Sequence, residues 1–164
     1  MKKILAFTLA FVMLFSMTSC LKSGFEGNEK TYTHDGMSIT LTENFKEASF
    51  EGFTICFDSA DVAVFCLKEA FTLAEGVEDW SLDYYAELTL EANAAQNPTL
   101  KDIDGMPVME YTYKDEESGV TYAYFSAMYK SGDAFWAIQF ACDADMYAEN
   151  EETFVKWAKS VTFS

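Results

Sequence analysis

Apolar and polar residues alternate at Met37-Ser38-Ile39-Thr40-Leu41-Thr42, which predicts a strand with one buried face. Phe53–Phe57 and Val62–Leu67 are apolar at almost every position. Such runs suit strands covered on both faces, and Asp58-Ser59-Ala60-Asp61 between them predicts a tight hairpin. Over residues 80–96 the period lengthens. Trp80, Tyr84, Leu88, Ala92 and Ala95 fall on one side of a helix, with Asp79 or Ser81 as its cap and Asn97-Pro98 as its stop. Asp104-Gly105 is a two-residue hairpin signal joining residues 99–103 to 106–114, where Met109, Tyr111 and Tyr113 share a face. Asp115–Gly119 turns the chain into Val120–Tyr129. Ser131-Gly132-Asp133 turns it again into Ala134–Cys142, where Trp136, Ile138 and Phe140 share a face. Phe154, Trp157, Ala158 and Val161 mark a closing amphipathic helix, and Ser160–Phe163 leaves it as a last edge strand.

The order of strands, helix, strands, helix predicts an α+β fold: a largely antiparallel sheet of about six or seven strands flanked by helices. Neither an internal repeat nor a low-complexity tract interrupts it.

A different pattern precedes the domain. Lys2 and Lys3 lead into Ile4–Phe15, an uncharged apolar run too short to span a bilayer, which needs about 20 helical residues. Ser16-Met17-Thr18-Ser19-Cys20 follows and resembles a bacterial lipoprotein processing box. The resemblance implies cleavage before Cys20, diacylglyceryl on its sulfur and usually acylation of the new amino terminus. One acyl chain anchors marginally, whereas two or more hold stably. Residues 1–19 therefore read as a lipoprotein signal peptide and residues 20–31 as a lipidated N-terminus and tether. Residues 32–164 read as a single domain. The expected location is the outer side of a bacterial cell membrane.

Composition sharpens this picture. Removing the first 19 of 164 residues leaves 145, enough for one domain with a real core. Nine lysines then face 27 acids, a net charge of −18, and the chain has no arginine. Phosphate recognition leans on Lys and Arg, so nucleic acid is excluded as a partner. Twenty-four aromatic residues remain, which separates the chain from disordered acidic tails. The lone histidine, His34, excludes His-rich metal sites and most Ser/His or Cys/His catalysis. Cys56, Cys66 and Cys142 sit among apolar neighbours and read as buried thiols, with one disulfide as the alternative.

Three stretches of this pattern resemble the PsbP-like superfamily, which includes an extrinsic photosystem subunit, a Ran-binding import factor and many bacterial lipoproteins. They are Gly36–Leu41 with Asn44-Phe45, Asp104–Val108 with Tyr111, and Phe154–Phe163. The likeness spans about residues 32–163. It implies helices on both sides of an antiparallel sheet and a role in binding other proteins, and it carries over no functional residue.

Candidate chemistry is sparse. Asp115-Glu116-Glu117, and Asp143, Asp145, Glu149, Glu151 and Glu152, supply oxygens of the kind Ca²⁺ takes. The second stretch lacks the glycine and distal glutamate of a calcium loop, and acids there also favour a helix N-terminus. His34-Asp35 has no evident third partner for acid–base work. Tyr111, Tyr113, Tyr122, Tyr124, Phe125 and Tyr129 form either core or a binding face. The expectation is a monomeric, membrane-anchored, non-catalytic domain with no cofactor or metal, serving a protein partner outside the cytoplasm. The alternatives are a small carboxylate-dependent hydrolase and a sugar- or lipid-binding module.

Overall fold

A computed structural model describes residues 21–164. The expected signal peptide, residues 1–19, and the expected lipidation site Cys20 lie outside the described residues. Among the described residues, ten strands and two α-helices follow the order β1 (Glu29–His34), β2 (Met37–Thr42), β3 (Lys46–Ala48), β4 (Ile55–Asp58), β5 (Val62–Ala70), α1 (Leu82–Ala92), β6 (Thr99–Ile103), β7 (Met106–Lys114), β8 (Thr121–Lys130), β9 (Ala134–Asp143), α2 (Ala144–Lys159) and β10 (Thr162–Phe163). Short 3-10 turns flank α1.

Seven strands form one antiparallel sheet in the order β3-β4-β5-β9-β8-β7-β6. The apolar runs β5 and β9 sit side by side inside it, which buries both of their faces. On one face Val62, Val64, Cys66, Ile138 and Phe140 meet Phe154 and Trp157 of α2, with Met37, Ile39 and Leu41 of β2. On the other, Phe65, Tyr111, Tyr124 and Phe135 meet Tyr85 and Ala86 of α1. The protein is thus α+β, with one layer of helix and small sheet, a central sheet, and a second helical layer. Among the described residues no helix is long and apolar enough to cross a membrane.

Helix α2 starts where the Asp143 side chain accepts from the Asp145 N–H at 3.1 Å. Lys156 and Lys159 in its last turn complement the dipole. Asp104 and Gly105 take φ of 55° and 83°, the left-handed pair that closes a two-residue hairpin. Asp35 and Gly36, at 49° and 83°, do the same between β1 and β2.

Three expectations change, and one strand, β1, is not predicted at all. The three strands β1, β2 and β10 form a separate small sheet rather than joining the large one. Strand β1 has only Tyr32 buried, so it shows no alternation to read. Helix α1 buries Tyr85 and Ala86, not the stripe through Tyr84, which is 44% exposed. Ser81 caps α1 as expected, its side chain accepting from the Tyr84 N–H at 3.1 Å. Finally, residues 21–31 are not a free tether. From Lys22 the segment is hydrogen-bonded to the domain and Gly24 is buried. The glycines that suggest flexibility in sequence instead permit close packing.

Candidate functional site

Where the β8–β9 turn, the start of β9 and the small sheet meet, the structure opens a cleft of about 260 Å³. Asp35, Gly36, Ser131, Gly132, Asp133, Trp136, Phe163 and Ser164 line it. The β1–β2 turn supplies Asp35, and the β8–β9 turn supplies Asp133. Strand β5 places Lys68 between them: its Nζ is 3.1 Å from Asp35 and 2.9 Å from Asp133. The hydrogen bond from Lys68, helped by Ser131, holds the Asp133 carboxyl below the ordinary carboxylate range. The two acids in turn raise the Lys68 ammonium. Asp133 is therefore ionised at neutral pH and is no proton donor, and Lys68 is held as a cation against it. The Trp136 indole floors the cleft, and its buried Nε1 has no hydrogen-bond partner among the described residues.

Sequence reasoning named His34-Asp35 but missed Lys68, Asp133 and Trp136 as a group. The signal available was Asp35-Gly36 as a hairpin turn. No sequence pattern places Lys68 against residues on two other turns.

The remaining candidates go elsewhere. His34 is exposed at the end of β1. Asp115 is buried in its own turn, accepting from the Glu117 N–H at 3.0 Å and the Ser118 hydroxyl at 2.6 Å, and these bonds lower its carboxyl. Asp143 caps α2, and Glu151 pairs with Lys101 at 2.6 Å. Among the described residues no three His, Cys, Asp or Glu side chains converge as metal ligands would.

The thiols are buried and unpaired with one another. Cys56 faces α1, while Cys66 and Cys142 face α2. Cys142 is opposite Val62, four residues from Cys66 along β5, which puts them about 13 Å apart and beyond disulfide reach. Burial pushes Cys56 up to about 11 and Cys142 to about 12, so neither is a thiolate at neutral pH.

The aromatic row is core. Tyr111, Tyr122, Tyr124 and Phe125 are buried, and Tyr111 stacks on Tyr124 with centroids 4.7 Å apart. Tyr113 and Tyr129 are half-buried. Two part-buried acid–phenol contacts tie helices to the sheet. Tyr85 donates to Glu69, whose carboxyl burial raises, and Tyr147 donates to Glu110, which also meets Lys101 at 2.8 Å.

No family model matches the chain, and no curated protein matches it. Among solved structures, cyanobacterial PsbP (CyanoP) from Synechocystis sp. PCC 6803 aligns over 85% of this chain and 94% of its own, with a TM-score of 0.57 and 9% identity. A Bacteroides thetaiotaomicron crystal structure aligns over 84% of this chain with a TM-score of 0.49 and 15% identity, and this chain spans 48% of that one. A Pseudomonas aeruginosa protein of unknown function aligns over 79% of this chain and 93% of its own, with a TM-score of 0.42 and 14% identity. The first likeness shows that the chain has a PsbP-like fold. At 9% identity it shows the fold alone, and the other two carry no argument.

Proposed function

We propose that this protein is a lipid-anchored domain on the outer side of a bacterial membrane, without catalysis of its own, serving a protein partner. One observation carries the reading: the apolar run and Ser16-Met17-Thr18-Ser19-Cys20 stand directly before a folded domain that begins at Lys22. The chemistry around the domain supports the absence of catalysis. Asp35 and Asp133 converge, but on Lys68, and the thiols stay protonated. A carboxylate hydrolase needs one acid held protonated beside one ionised. Among the described residues Glu69 and Asp58 are the acids that burial raises, and they stand near opposite ends of the β4–β5 pair.

The test is intact mass measurement of the membrane-extracted protein, with the Cys20→Ser variant beside it. The expected mature chain begins at lipid-modified Cys20, and the variant leaves the membrane fraction. An unmodified N-terminus beyond residue 20 refutes the anchor. Crosslinking on intact cells is expected to recover one reproducible neighbour, and repeated recovery of none refutes the accessory role.

A further inference from the structure

From Lys22 onward the backbone is fixed to one end of the central sheet. The Ala60 N–H donates to the Lys22 carbonyl at 3.0 Å. Asp61 accepts from the Ser23 hydroxyl at 2.5 Å and the Gly24 N–H at 2.7 Å. The Asn44 amide donates to the Ser23 and Glu26 carbonyls at 2.9 and 2.8 Å. Thr42 donates to the Gly24 carbonyl at 2.9 Å, and the Phe25 ring stacks on Trp157 with centroids 5.8 Å apart.

Leu21 alone separates this docked segment from Cys20. Two extended residue steps reach about 7 Å at most. Resting on the lipid anchor proposed above, we infer that the domain stands end-on against the bilayer, with the β4–β5 turn at the headgroups and the Lys68 cleft turned to water. The short leash fixes which end touches lipid. Charge keeps the rest from lying down, because the chain beyond residue 19 carries −18 and an anionic surface repels it. The leash is shorter than the Debye length of about 8 Å in physiological salt, so the anchored end cannot retreat from the surface potential. From Val62 the strand β5 runs to Ala70, roughly 26 Å at about 3.3 Å per residue. Lys68 lies near its far end and bridges Asp35 and Asp133 there. Whatever occupies the cleft therefore arrives from the aqueous side, and a lipid headgroup of the same membrane is out of reach.

The experiment uses the lipidated full-length product in vesicles of phosphatidylcholine and phosphatidylglycerol doped with a nickel-chelating lipid. A nitroxide is placed at Ala60→Cys, in the β4–β5 turn, or at Gly132→Cys. A Cβ at residue 132 meets nothing within 4 Å, and the native thiols are buried. Nickel at the headgroups is expected to relax the label at 60 severalfold more than the label at 132. A Gly/Ser insert of about twelve residues between Leu21 and Lys22, spanning roughly 20 Å, is expected to abolish that contrast. Equal relaxation at both positions in chains whose mass shows the lipid overturns the orientation and leaves the anchor standing. Contrast that survives the insert overturns it too. A mass without lipid on Cys20 overturns anchor and orientation together.

Discussion

Gly24→Ala tests whether the N-terminal segment belongs to the fold. A Cβ built at Gly24 lies 2.5 Å from the Ser59 Oγ and 2.7 Å from the Phe45 ring. Neither neighbour yields cheaply. The Ser59 hydroxyl donates to the Val62 carbonyl at 2.8 Å and accepts from the Val62 N–H at 3.1 Å. Phe45 is fully buried and meets Trp157 edge-on with centroids 5.4 Å apart. Forcing a methyl into such packing costs about 1–3 kcal/mol. Residue 24 has no positive φ, so alanine fits the backbone and recovers roughly 0.4–1 kcal/mol by stiffening the unfolded chain. The net expectation is a loss of about 1–2 kcal/mol, or a melting temperature lower by roughly 2–8 °C for a domain of this size. Urea titration of the chain from residue 20 onward measures it, with Phe45→Leu as second leg of a cycle. If overpacking is the cause, trimming the ring relieves the Gly24→Ala cost by at least about 0.5 kcal/mol. A neutral or stabilising Gly24→Ala, or an equal cost in both backgrounds, refutes the docked segment, because a free tether tolerates alanine.

Glu69→Gln keeps an acceptor for the Tyr85 hydroxyl and removes a carboxyl that burial raises above its ordinary value. A raised folded value makes stability fall as pH climbs through it, so the variant is expected to be more stable than wild type at pH 7 and no better below pH 4, read from urea midpoints across that range. Asp133 has the opposite sign: its carboxyl is held low by Lys68, so its small stabilisation is present near neutrality and is lost as pH falls through the lowered value. Lys68→Met is expected to flatten that acid limb, again by urea midpoints. Cys56, Cys66 and Cys142 are expected to resist iodoacetamide in the native protein and to take three adducts in urea, by intact mass. Phe154→Ala, which empties the centre of the α2 face, is expected to cost about 3–5 kcal/mol.

Much of the sheet was legible because its signals are local. Asp104-Gly105 closes the hairpin it predicts, and Trp136, Ile138 and Phe140 share the face that their alternation assigns. Asp35-Gly36 carried the same turn chemistry and went unread, since β1 before it is exposed at every residue but Tyr32. The α1 face was misread for a related reason. Trp80 precedes the helix and pairs edge-on with exposed Tyr84, so aromatic content marked the wrong stripe. Helical period alone does not say which side of a short helix meets the sheet.

The sequence by itself determined the α+β fold class, the order of most of its elements and a composition with one histidine and no arginine. Each of these depends on neighbouring residues or on counts. Tertiary structure alone decided that Lys68 bridges turns more than 30 positions away in both directions. It also decided that Ser23, Gly24 and Phe25 are bound by Asp61, Thr42 and Trp157. Those contacts arise where distant segments are brought within hydrogen-bond distance by packing the two sheets against α2. Local pattern carries no record of which segments meet.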